Sequence, residues 1–210
     1  MDLTSKFDAQ SDHDLTDLVA GHPLAWLCSM SASSGLQATP LPLLLKHDEA
    51  GRLVAVEGHF ARGNTQVEAL RRNPEALVLW MGVQGYVSPS WLTDRTQAPS
   101  WNYASAQCRV RVRFLDDDEA ALSAHLDELA RRFEAGRPGA WSVAEMGARL
   151  QLLAQRVIAF RAEVVELRER YKLGQDERDD VFGELLAGLD GSDGGDPLAG
   201  WMRRFNPGRG

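Results

Sequence analysis

From Gln107 to Leu115 the chain alternates strictly, with Cys108, Val110, Val112 and Phe114 on one face and Arg109, Arg111 and Arg113 on the other. Successive side chains of a strand point to opposite faces, so this period of two specifies a half-buried strand. Val157 to Leu167 repeats the pattern, with Ile158, Phe160, Ala162 and Val164 sharing a face. Arg52 to Gly58 alternates after the turn-like Asp48-Glu49-Ala50-Gly51. Leu24 to Met30, Ala76 to Met81 and Tyr86 to Trp91 read as shorter apolar strands. Leu36 to Leu45 is extended too, but Pro40 and Pro42 assign it to an edge, a bulge or an irregular wall. Six or seven strands interrupted by helices, without βα alternation, predict an α+β fold built on an antiparallel barrel with flanking helices.

The helices announce themselves by caps and stripes. Residues 11–20 carry Leu15, Leu18 and Val19 behind Ser11 or Asp12. Residues 64–72 begin at Asn64 or Thr65 and stop at Asn73-Pro74. Residues 119–135 place Leu122, Leu126, Leu129 and Phe133 at helical spacing. Ser142-x-x-Glu145 is a capping box opening a helix over 143–155, and a last full helix is expected over 176–188.

The 44% apolar content is enough for a real core, and 210 residues suit one domain with an appendage. The expected division is 1–189 for that domain and 190–210 for a flexible acidic linker with a short terminal segment. No run of eighteen apolar residues occurs, and Met1 to Phe7 lacks a basic-then-apolar leader, so a cytoplasmic protein is expected. Cys28 and Cys108 lie in apolar runs and read as buried free thiols; no spacing suggests a metal site. Of the net charge of −7, all falls in residues 174–200, where eight acidic residues face Arg178 alone. A neutral body with an acidic tail suits phosphate neutralisation on DNA poorly.

Function points to Gly85 to Tyr103. Tyr86, Trp91, Trp101 and Tyr103 share nineteen residues with Ser88, Ser90, Ser100 and Asn102. Flat apolar walls beside fixed polar groups suit a planar heteroaromatic ligand. No nucleophile elbow, Walker loop or dinucleotide fingerprint is present, and no catalytic residue is assigned.

Upstream lies Gly58-His59-Phe60-Ala61-Arg62-Gly63-Asn64-Thr65-Gln66, and Ala38-Thr39-Pro40-Leu41-Pro42 precedes it. With Gly85 to Trp91, Pro99 to Tyr103 and Tyr171 to Asp176, this ordered set resembles the PaiB-type FMN-binding negative transcriptional regulators over residues 1–187. The resemblance implies an FMN-binding split barrel, FMN as cofactor and a homodimer. It also implies where FMN would sit. Arg62, just before the helix start at Asn64, would meet the phosphate together with free helix N–H groups. Tyr86, Trp91, Trp101 and Tyr103 would form walls. Ser88, Ser90, Asn102, Gln66 and His59 would meet the ring edge, with Ala61 in the same motif and Thr39 reaching ring or phosphate.

The chain departs from the family pattern at Pro40, Thr65, Val67 and Glu177, where the family has His, Pro, Trp and Arg. Three functions follow: an FMN-binding dimeric regulator, a flavin-dependent oxidoreductase of the split-barrel class, or a divergent cofactor-free dimeric binding protein. DNA is a partner only through the family's regulatory role.

Overall fold

Every alternating segment becomes a strand. The computed structural model describes residues 5–116, 118–191 and 196–209. Its elements run α1 (Asp14–Gly21), β1 (Leu24–Ser31), β2 (Gly35–Pro42), β3 (Leu44–His47), β4 (Leu53–Ala61), α2 (Thr65–Arg72) and β5 (Glu75–Val87). They continue through β6 (Ser100–Phe114), α3 (Glu119–Glu134), α4 (Arg149–Ala154), β7 (Val157–Lys172), α5 (Asp179–Asp190) and α6 (Pro197–Phe205). The strands form one antiparallel sheet in the order β2-β1-β5-β6-β7-β4-β3. β2 is an outer strand, as Pro40 and Pro42 require.

The chain divides into two compact units. Pro23–Leu79 with Cys108–Leu167 form the first, and the remaining residues form the second. In the first, Phe60 and Phe160 are fully buried with ring centroids 5.2 Å apart. Gly58 is required beside them: a Cβ there would lie 2.6 Å from Leu43 Cδ2 and 2.9 Å from Phe160 Cζ. Cys108, Val110 and Val112 are buried while Arg109, Arg111 and Arg113 are exposed, as their alternation demands. α2 starts where predicted, with Asn64 Oδ1 accepting the Gln66 N–H at 2.9 Å. The helix expected over 143–155 is divided. A 3₁₀ turn, Val143–Met146, keeps the Ser142 capping box, and Gly147 then takes φ +52°, outside any helix, before α4 begins. Of the two thiols only Cys108 is buried; Cys28 is half-buried, on the outer face of β1.

In the second unit α1 has no side-chain cap. Asp14, the first residue of the helix, turns inward instead, and its carboxylate accepts the N–H groups of Gln10 and Ser11 at 2.7 and 2.9 Å, so neither Ser11 nor Asp12 caps the helix as expected. Arg204 of α6 pairs with that carboxylate and with Asp17, the latter at 2.7 Å. Leu198, Ala199, Met202 and Phe205 of α6 are buried. Phe205 stacks on Tyr171 at 4.8 Å between centroids. The segment after residue 189 is therefore no loose appendage where it is described; residues 192–195 of the expected linker lie outside the described residues.

Candidate functional site

The twelve residues singled out from the sequence fall six in each unit. Thr39, His59, Ala61, Arg62, Asn64 and Gln66 lie in the first; Tyr86, Ser88, Trp91, Trp101, Asn102 and Tyr103 lie in the second.

In the first unit three of them form one polar cluster. Thr39 Oγ1 donates to Gln66 Oε1 at 2.6 Å and accepts from Asn64 Nδ2 at 3.0 Å. The Gln66 amide, fully buried, donates onward to the Leu27 carbonyl at 3.0 Å and Ser29 Oγ at 2.9 Å. This ties β2, β1 and the start of α2 together, and buried polar groups hold such geometry because each partner would otherwise be unpaired. Ala61 closes the turn into the helix, its carbonyl accepting the Asn64 N–H at 2.9 Å. Two of the first donors of α2 are already engaged: Asn64 Oδ1 takes Gln66 N–H, and Asn64 O takes Val67 N–H at 3.0 Å. What this corner offers an anion is the exposed Arg62 guanidinium, which has no ion pair among the described residues; the lowered pKa of Asp116 comes first from its hydrogen bond with Arg71, with Arg62 a minor contributor.

His59 belongs to different surroundings. Its Nδ1 lies 3.1 Å from Nε2 of His125, and the rings meet edge to face. Burial pushes both imidazoles below the usual histidine range, His125 to about 4, with the charge of His59 as a further cause. His59 also borders a cavity of about 330 Å³ walled by α3, the 143–146 turn and α4. Sequence reading missed His125 altogether. Its signal was there: a histidine on the apolar stripe of α3, one residue before Leu126.

In the second unit Tyr86 and Trp101 form an exposed edge-to-face pair, centroids 6.2 Å apart, with Trp101 54% exposed. Trp91 is packed over Gly188 of α5. Ser88 caps the turn Pro89–Trp91 and its hydroxyl lies 2.7 Å from that of Ser90. Asn102 is buried, with Nδ2 3.6 Å from Met202 Sδ. Tyr103 is half-buried on β6. Tyr86 and Trp101 thus present free aromatic surface, whereas Asn102, Ser88 and Trp91 serve internal contacts. Among the described residues no group of three or more metal-ligating side chains converges.

Comparison with known proteins bears on the family and the fold. Residues 1–166 match the family described as "Putative FMN-binding domain". The Bacillus subtilis "protease synthase and sporulation protein PAI 2" is 26% identical over 136 residues, 64% of this chain and 64% of that protein, so less than two thirds of its length is spanned. An uncharacterized protein of Emericella nidulans is 26% identical over 90% of this chain and 91% of its own. Among solved structures, the FAD and heme binding protein of Mycobacterium smegmatis superposes with TM-score 0.58 at 22% identity, covering 83% of this chain and 78% of that one. A flavocytochrome of Azotobacter vinelandii gives TM-score 0.56 at 16% identity, covering 79% and 68%. Likenesses at this identity carry the fold, which is the split barrel.

Proposed function

Because this chain belongs to the FMN-binding domain family, we propose that it is a homodimeric, cytoplasmic FMN-binding protein with a regulatory role. FMN is its cofactor, and the residues of the first unit fit one. Arg62 supplies the cation for a phosphate, and the internally hydrogen-bonded Thr39–Asn64–Gln66 cluster fixes the strand-to-helix turn that carries it. Bound FMN would supply a ring able to accept and return electrons; the protein supplies position and polarity around it. The observation that carries the reading is this cluster, built from motif residues twenty-five and more positions apart in sequence.

The dimer is supported by an uncovered apolar sheet face. Leu24, Trp26 and Met30 of β1 are more than half exposed, Trp26 at 52%, and Leu36 of β2 is 72% exposed. Their cross-strand partners extend the patch: Trp26 faces Pro40 and Leu79, Cys28 faces Ala38 and Leu77, and Met30 faces Leu36. A contiguous apolar surface of this kind marks an interaction site, and a second copy of the same face covers it by symmetry. The regulatory role rests on the resemblance of the motifs to the PaiB-type negative transcriptional regulators. Regulation here does not rest on a basic DNA-binding stripe. Arg109 is paired with Glu166 at 3.0 Å and Arg111 with Glu75 at 3.7 Å, so the arginine face of β6 is largely neutralised.

The test is the visible spectrum and mass of the purified protein. The proposal expects flavin bands after addition of FMN and a particle of twice the chain mass. A colourless protein that takes up no FMN would sink the reading. Rapid reduction of the bound flavin by NAD(P)H would favour the oxidoreductase instead.

A further inference from the structure

We propose that the cavity beside His59 is a binding site for a neutral, largely aromatic molecule carrying one carbonyl acceptor. The inference goes beyond the FMN reading and does not depend on it. The cavity lies wholly within the first unit, between α3 and α4 on one side and Pro42, His59 and Val157 on the other. Its volume is about 330 Å³. A dry apolar hole of about 150 Å³ holds a benzene ring in another protein, so this one accommodates two fused rings with a substituent. Phe133, Trp141, Met146 and Leu150 are among its walls. Aromatic and thioether groups favour the faces and edges of a flat ring.

Apart from the indole N–H of Trp141, His59 is the one polar side chain among the described residues lining the cavity. No lysine or arginine borders it, so a carboxylate or phosphate would find no counter-charge on its walls. The histidine pair sets the hydrogen-bonding sense. One proton lies between His59 Nδ1 and His125 Nε2. If His59 donated it, the neutral His125 ring would carry its own proton on Nδ1, which is buried with no partner among the described residues. An orphaned buried N–H is the rarer defect; a bare ring nitrogen avoids it. The favoured tautomer therefore has His125 Nε2–H donating to His59 Nδ1. That leaves the proton of His59 on Nε2, which makes no hydrogen bond among the described residues. With the His59 Nε2–H and the Trp141 indole N–H both donors, the wall selects an acceptor, and a ketone or quinone oxygen meets that need without charge.

Prodan is the probe: a neutral naphthalene ketone whose emission moves to the blue in apolar surroundings. It is titrated into the full chain, flavin-free and with FMN added. The FMN reading stands on flavin absorbance; this inference stands on prodan emission. One prodan per chain is expected, with blue-shifted emission and quenching of the Trp141 part of the intrinsic fluorescence, defined by Trp141→Phe. Ala154→Trp, which fills the cavity, should weaken prodan at least about tenfold. His59→Phe keeps the ring and removes the donor. It should weaken prodan about tenfold while leaving naphthalene, which has no carbonyl, unchanged. Naphthoate should compete poorly. Unchanged prodan affinity in either Ala154→Trp or His59→Phe overturns the inference. So does equal weakening of prodan and naphthalene by His59→Phe, because His59 would then only shape the wall. The Trp141 quenching is read on the unsubstituted chain, so its absence counts against the site even where a variant fails to fold.

Discussion

The Trp91 ring lies over the backbone of Gly188: a Cβ at that glycine would stand 2.5, 2.6 and 2.7 Å from Cδ2, Cε3 and Cγ of the indole. Three ring atoms at nearly one distance mean that the face of the ring, not its edge, meets the helix.

Gly188→Ala should therefore reverse the usual rule for glycine in a helix. Alanine normally gains about 0.5–1 kcal/mol at such a position. Here the methyl group meets the indole, and overpacking should leave a net loss of about 1–3 kcal/mol. Gly183, in the same helix with nothing within 4 Å of its virtual Cβ, is the control and should gain stability as alanine. Urea unfolding of the two variants decides it; equal signs would contradict the packing.

Arg62→Ala should weaken FMN binding by about 1.5–3 kcal/mol, about tenfold to a hundredfold. Riboflavin, which lacks the phosphate, should bind the variant and the parent alike. Unchanged FMN affinity in a fluorescence titration would remove Arg62 from the phosphate site.

Trp26→Glu places a charge in the middle of the apolar face of β1, opposite Pro40 and Leu79. In a dimer that buries this face the variant should dissociate, and light scattering should report one chain mass instead of two. The exposed position means the monomer itself should keep its fold.

Ending the chain after Leu189 should abolish cooperative folding. The cut removes buried Leu198, Met202 and Phe205, each worth about 1.5–3 kcal/mol of burial, against a total stability of about 5–15 kcal/mol. It also takes Arg204 from the buried Asp14 carboxylate. A truncated protein melting within a few degrees of the parent would contradict the packing of α6.

Acid should weaken the fold through His125. Its pKa falls from 6.5 to about 4 on folding, so between those values the unfolded chain binds a proton that the folded one does not. Stability is then full above about pH 6.5 and falls as pH drops toward 4, by on the order of 3 kcal/mol. His125→Phe should flatten that part of the stability–pH curve measured by chemical denaturation.

Most strands and the α2 cap were legible because their causes are local, whereas the strand expected over Tyr86 to Trp91 ends at Val87 and gives way to a 3₁₀ turn over Pro89–Trp91. The alternation from Cys108 to Phe114, the Asn64 cap and the prolines of β2 each state their outcome within a few residues. Asp14 was not: its inward turn depends on Arg204, 190 residues away. The Thr39–Asn64–Gln66 cluster was named residue by residue, but its hydrogen bonds depend on how β1 and β2 pair. The His59–His125 contact spans 66 positions and joins a strand to a helix. A histidine on a helical stripe reads as core filling until the partner beneath it is known. Gly147 was the plainest local signal overlooked, a glycine inside a stretch taken as one helix.

Pro40 and Pro42 give the outer strand a second consequence. Both residues lack an N–H, so the free margin of β2 presents carbonyls without the donors that should alternate with them. Another strand arriving there could form only half a ladder. At these two positions the margin is a poor template for an added strand, while the neighbouring apolar face stays accessible. One short strand in this way discourages edge-to-edge growth on its side of the sheet and leaves the apolar face as the surface on which copies of the chain would meet.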